Sequence, residues 1–215
     1  MNFYTYARHY GDKILVRGIK NGKRFQYRDD FRPTLFVPSD KPSDYKTIYG
    51  DSVSPMQFET NKEATNFFDR YKDVSNFPIF GQNYYAYQYI TEKFPGTVEW
   101  DASKMAIYSI DIETTSEGGF PNVDSPSEKV LVITLQNNST KKITTFGLGE
   151  FTPSKETEHL DVEWIGCKDE YTLLKTFLEW WEENCPDVIT GWNSNLFDMP
   201  YLITRTERIL GEGEH

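Results

Sequence analysis

Met105-Ala106-Ile107-Tyr108-Ser109-Ile110-Asp111-Ile112-Glu113 is a mostly apolar run that ends in acids. So many apolar residues in a row predict a strand internal to a sheet. Side chains two apart on a strand face the same way, about 6.5 Å apart along the chain, so Asp111 and Glu113 point toward one place. Two like charges there are costly unless a cation neutralises them, and a row of hard oxygen ligands suits Mg²⁺ or Mn²⁺. The plainer alternative is a strand that reaches solvent at Asp111, with Glu113 already in the loop.

Downstream, a polar Gly/Pro/Ser loop over 115–128 leads into strands at 129–135 and 142–146, an antiparallel meander with the first. The chain then runs through a loop into a helix over 169–184, with Tyr171, Leu174, Phe177, Leu178 and Trp181 on one face and Pro186 ending it. Residues 187–192 read as a short buried strand, and 200–210 as a last helix with Pro200 in its first turn. Asp198 falls between that strand and that helix, where it can cap the helix, bind a metal, or do both. Asn193 is placed to hydrogen-bond a substrate or orient the acid, and Phe197 to pack under the site or stack on a base.

Upstream, strands at 3–6, 13–17 and 24–27 surround an Asn21-Gly22 turn, a strong hairpin signal. A strand follows at 34–37. Thr60 and Glu63 form a capping-box pattern ahead of a helix over 61–73. Tyr84 to Ile90 reads as an aromatic strand, whose tyrosines serve core packing or base stacking. Residues 91–101, with Pro95-Gly96, read as a passage between domains.

Length and composition agree with one large or two small globular domains: 215 residues, 38% hydrophobic and 26% charged. No apolar run approaches the roughly 18 residues that span a bilayer, and no secretory signal opens the chain, so a cytoplasmic protein is expected. Cys167 and Cys185 lie far from any CxxC or Cys/His cluster, which excludes a zinc site or a disulfide framework. The 23 Lys+Arg and 33 Asp+Glu give −10, against a protein whose whole surface embraces nucleic acid. Through Arg32, however, eight basic residues face three acids, a local +5, and the remainder carries 15 − 30 = −15. A basic lobe beside an acidic one fits phosphate contacts next to a carboxylate metal site, and equally a solvated hairpin face.

Asp111-Ile112-Glu113 after a hydrophobic strand, with Asn193 and Phe197-Asp198 at the second site 198 − 111 = 87 positions later, resembles the first two exonuclease motifs of family B DNA polymerases. The helix before them and the Gly191-Trp192-Asn193 lead-in add specificity. Pro33 to Val37, Ile48-Tyr49-Gly50 and the following helix resemble the N-terminal domain of T-even-type bacteriophage polymerases, so the likeness covers essentially the whole chain. It implies an α/β (α+β) fold: residues 1–100 as a mixed N-terminal domain, partly similar to RNA-recognition modules, and 101–215 as an incomplete ribonuclease-H-like 3′–5′ exonuclease domain.

The resemblance further implies proofreading in a replicative DNA-directed DNA polymerase. Four carboxylates would hold two divalent ions, Mg²⁺ or Mn²⁺, about 3.5–4 Å apart. Asp111 would bridge them, Glu113 would bind one and orient the attacking water, and Asp198 would serve the second. Asn193 and Phe197 would contact substrate. Implied partners are the single-stranded 3′ end of DNA, RNA at the N-terminal domain, the rest of a polymerase chain and, through a far C-terminus, a sliding clamp, all in a host bacterial cytoplasm. The family's third motif, Tyr followed four residues later by Asp, is missing, since Tyr201 is followed by Arg205. The chain is therefore expected to be the front of a longer polymerase, with little exonuclease activity by itself. The competing expectations are a non-catalytic RNA- or single-strand-binding module and one chain of a split polymerase or nuclease.

Overall fold

Asn21 and Gly22 both take positive φ, 52° and 76°, the two-residue turn that matches the twist of a hairpin. That turn joins β2 (Lys13–Lys20) to β3 (Lys23–Asp30), and β1 (Asn2–Tyr10) pairs antiparallel with β2 on its other edge. These strands open the first of two compact units that divide between Lys104 and Met105 in the computed structural model, which describes residues 2–211. In the first unit β4 (Thr34–Pro38) and β5 (Val53–Gln57) form a second antiparallel pair. Helix α1 (Asn61–Tyr71) starts as the capping box predicts, the Thr60 hydroxyl accepting from the Glu63 amide at 3.1 Å.

The segment Tyr84 to Ile90 is not a strand: Tyr84 sits at the cap position and Tyr85 to Ile90 are helical. Helix α2 (Tyr85–Lys93) buries Tyr85, Ala86 and Tyr89 against Ile14, Val16, Phe31 and Leu35 and leaves Tyr84 and Tyr87 exposed. Alternation would put 85, 87 and 89 on one face, but the core takes residues at helical spacing, and packing overrides the strand preference of tyrosine. The Gln88 amide also pairs with both backbone groups of Thr34 at 2.9 Å. Because Tyr85 and Tyr89 are buried, they offer no face for base stacking.

The second unit is built on a five-stranded mixed sheet in the order β10-β6-β7-β8-β9. Strands β6 (Ile107–Thr114), β7 (Val130–Asn137) and β8 (Ile143–Leu148) form the expected meander. Two strands pair parallel to it. Strand β9 (Val162–Cys167), where the sequence suggested only loop, lies beside β8, and β10 (Val188–Thr190) beside β6. Strand β10 is shorter than its predicted span and half-exposed rather than buried.

Helix α3 (Glu170–Asn184) is capped by Asp169, whose carboxylate accepts from the Thr172 amide at 2.8 Å, and buries Leu173, Leu174 and Phe177. Helix α4 (Asp198–Leu210) starts two residues earlier than predicted. Phe197 occupies the cap position and Asp198 the first helical one, so Asp198 is not the cap. The core of this unit joins Ile110, Ile112, Ile133, Leu135 and Phe146 of the sheet to both helices. Cys167 and Cys185 are free thiols. Among the described residues no helix is long and apolar enough to cross a membrane.

Candidate active site

Strand β6 is interior to its sheet, so alternate side chains go to opposite faces. Ile110 and Ile112 are buried, while Asp111 and Glu113 share the exposed face. A bulge follows between Glu113 and Thr114, where β6 leaves its partner strand.

The second acid reaches the same place through β10. Thr190 pairs in parallel register with Ser109, which sets Gly191 alongside Ile110. A Cβ on Gly191 would stand 2.6 Å from the Ile110 carbonyl oxygen, so no larger residue fits without displacing backbone. A tight turn follows. The Asn193 carbonyl accepts from the amides of Leu196 (3.0 Å) and Phe197 (2.9 Å), and the buried Ser194 carbonyl accepts from Met199 (3.0 Å). This turn delivers Asp198, only 5% exposed, onto the end of β6. Burial pushes the Asp198 carboxyl up, and the Asp111 charge pushes it the same way. The Asp198 and Ile112 backbone amides work in the opposite direction.

The fold thus brings Asp111 and Asp198 together from sequence positions 198 − 111 = 87 apart, with Glu113 two residues beyond Asp111 on the same strand face. Among the described residues, no three His, Cys, Asp or Glu side chains cluster closely enough to enclose a metal ion by themselves. The charge of Asp111 reaches Asp198, and Mg²⁺ characteristically takes one or two carboxylates and completes its shell with water and substrate phosphate. Asn193 is exposed, and Phe197 is half-buried with its ring 5.6 Å from Phe120 and 5.4 Å from Tyr201.

Several neighbours were not singled out in the sequence as site residues. Phe120, 86% exposed, comes from the loop read as polar, and Trp192 (102%) and Leu196 (79%) stand out from the turn before α4. Glu128, Glu170 and Arg205 are buried charged residues of this unit. Thr115 and the amides of Gly118 and Glu117 hydrogen-bond the Glu128 carboxylate and pull it below the usual carboxylate range.

A profile of the exonuclease domain of DNA polymerase family B matches residues 65–212. The DNA-directed DNA polymerase of Escherichia phage RB69 is 25% identical over 236 aligned residues, covering 98% of this chain and 26% of that protein. The DNA-directed DNA polymerase of Enterobacteria phage T4 is 26% identical over 234, with the same two coverages. A DNA polymerase catalytic subunit of Human herpesvirus 8 is 30% identical over 120 residues, 54% of this chain and 11% of that one. The chain spans about a quarter of the length of the phage relatives.

Proposed function

The chain belongs to DNA polymerase family B through its exonuclease domain, and from that premise we propose that Asp111, Glu113 and Asp198 are three carboxylates of a 3′–5′ proofreading exonuclease site in a replicative DNA-directed DNA polymerase. The observation that carries this reading is the Asp111–Asp198 pair: Asp198 is buried, and its carboxyl is pushed up first by that burial and then by the charge of Asp111. Burying a carboxylate against its like is unfavourable in an apo chain and becomes favourable when a cation sits between them. Asp111 and Asp198 would hold Mg²⁺ or Mn²⁺, which supplies Lewis-acid polarisation of a phosphodiester and a water acidic enough to react near neutral pH. Glu113, on the same strand face, would orient that water, and no histidine or lysine base is required.

Asn193 and Phe197 would contact the single-stranded 3′ end, Phe197 through an aromatic surface already shared with Phe120. The remainder of a polymerase chain would complete the ligand set, and a sliding clamp would engage that remainder, in a host bacterial cytoplasm. The 215-residue chain by itself would excise little, because removal of a group from a catalytic unit typically costs orders of magnitude in rate.

Mn²⁺ titration of the full chain, followed by water-proton relaxation, tests the reading. Binding by the wild type that is lost in both Asp111→Ala and Asp198→Ala is the expected result. Absence of binding in the wild type, or undiminished binding in both variants, sinks it. Strong 3′ shortening of single-stranded DNA by the chain alone, lost in Asp198→Ala, would overturn the expectation of inactivity.

One observation favours a nucleic-acid contact in the first unit as well. Strand register sets Arg8, Leu15 and Arg28 side by side across β1, β2 and β3, and the Arg28 guanidinium lies 4.1 Å from the centre of the Tyr10 ring. Arginine interleaved with exposed tyrosine is suited to RNA or single-stranded DNA. Metal-independent, salt-sensitive binding of a labelled oligonucleotide by the full chain, weakened in Arg8→Gln/Arg28→Gln, would support it, and equal binding by that variant would remove it.

A further inference from the structure

The segment from Thr115 to Lys129 leaves β6 just past Glu113 and rejoins the sheet at Val130 without regular structure of its own. Backbone carbonyls in such a segment need partners wherever water is excluded. Four of them find partners on one helix. Thr204 donates its hydroxyl to the Val123 carbonyl at 2.9 Å, and Tyr201 donates to that of Glu128 at 2.7 Å. Arg205 Nη1 donates to the carbonyls of Pro126 (2.8 Å) and Ser127 (3.2 Å), and Arg208 Nη1 to that of Pro126 (2.9 Å). Positions 201, 204, 205 and 208 make one i, i+3, i+4, i+7 stripe of α4. The first residue of the same helix is Asp198.

Arg205 is the centre of the stripe. It is 5% exposed, and its Nε and Nη2 form a two-pronged contact with the Glu170 carboxylate at 2.8 and 2.7 Å. Glu170 Oε1 also accepts from the Val130 amide at 2.8 Å. Arg205 therefore fastens the loop directly at Pro126 and Ser127, and through Glu170 at the point where it enters β7. Only a planar guanidinium can serve a carboxylate on one edge and two carbonyls on another; an ammonium cannot.

We propose that Arg205 is a positioning residue of the candidate nuclease site: by fastening loop 115–129 to α4 it fixes Phe120 and the end of β6 at Glu113 relative to Asp198, so that a single-stranded 3′ end meets a preformed wall. The role rests on the nuclease reading above. Arg205 touches neither substrate nor metal in it and acts through the loop.

The test uses the full chain and Arg205→Lys, with three readouts: amide hydrogen exchange, Mn²⁺ binding, and fluorescence anisotropy of labelled oligo(dT) in Ca²⁺. Exchange across 117–129 should rise about tenfold while amides of α3, of β8 and of the parts of β6 and β7 away from the loop keep wild-type rates. Oligo(dT) binding should weaken about tenfold with Mn²⁺ affinity retained, a split that general destabilisation would not produce. Wild-type loop exchange and wild-type oligo(dT) affinity in the variant overturn the proposal. A wild type that binds neither Mn²⁺ nor oligo(dT), while its loop still responds to Arg205→Lys, removes the nuclease reading and leaves Arg205 a purely structural residue. Should exchange rise everywhere in Arg205→Lys, Thr204→Val/Arg208→Gln decides by the same criteria, since it loosens two carbonyl contacts and spares the buried ion pair.

Discussion

The Cα of Gly191 lies so close to the Ile110 carbonyl that a methyl group built on it would stand 2.6 Å from that oxygen and 3.1 Å from the Ser194 Cβ. This contact sets the distance between the end of β6, which carries Asp111, and the turn that delivers Asp198. Gly191→Ala is expected to destabilise the second unit by about 1–3 kcal/mol through overpacking and to weaken Mn²⁺ binding together with stability. Denaturant unfolding and Mn²⁺ titration check both effects. An alanine variant with wild-type values in each would show that the turn adjusts freely.

Asp198 is buried and within reach of the Asp111 charge, and in the absence of cation both disfavour its ionised form at neutral pH. Asp198→Asn should therefore raise the melting temperature of the metal-free protein, by about 2–4 °C for each kcal/mol of relief. Added Mn²⁺ should raise the wild-type value and leave the variant unmoved. Thermal scans with and without Mn²⁺ decide it, and an asparagine variant that melts lower than wild type in EDTA contradicts the picture of two unneutralised carboxylates.

Glu128 is perturbed in the opposite sense. Hydrogen bonds from Thr115, Gly118 and Glu117 depress its carboxyl, so the unfolded chain takes up that proton more readily than the folded one. Its stabilisation is present above the ordinary glutamate value, about 4.3, and is lost as pH falls through the depressed folded value. The urea midpoint of Glu128→Gln should lie below that of wild type at pH 7, and the gap should close as the pH is taken below 4. A gap that stays constant down to pH 3 would mean that charge is irrelevant to how Glu128 holds the loop.

The tyrosines of α2 give a test of the helix itself. Tyr89 is fully buried and its hydroxyl donates to Asp29 Oδ2 at 2.8 Å, whereas Tyr87 is exposed. Tyr89→Ala should destabilise the first unit by about 3–5 kcal/mol, and Tyr87→Ala by less than about 0.5 kcal/mol. Comparable losses at both positions would return the segment to the alternating pattern of a strand.

The hairpin at Asn21-Gly22, the helices α1 and α3 and the strand bearing Asp111 were legible because each rests on local chemistry: a turn pair, a capping side chain at α1, an apolar helical face at α3, an apolar run ending in acids. Tyr84 to Ile90 was not. Its residue types favour a strand, and the core formed by Ile14, Val16, Phe31 and Leu35, distant in sequence, selected a helix. Strand β9 was missed for a related reason, since Val162 to Cys167 is defined by parallel pairing with β8 rather than by a pattern of its own. Asp111 and Asp198 could be picked out as acids at the ends of apolar segments, and in the fold the charge of Asp111 reaches Asp198. The loop contacts of Arg205 left no trace, because its partners there are backbone carbonyls, which every residue possesses.

The parallel pairing of β10 with β6 places these events in time as well as in space. Val188 meets Ile107 across 188 − 107 = 81 residues, whereas the hairpins of the first unit close over a few. Contacts of such long sequence separation form late, because a long loop must be closed before they stabilise anything. During synthesis at roughly 5–20 residues per second, Asp111 precedes Asp198 by about 4–17 s. Throughout that interval the nascent chain displays Asp111 and Glu113 without their counterpart. A growing polypeptide in this state has only one side of the candidate site, and the order of translation withholds the other until helix α4 has been made.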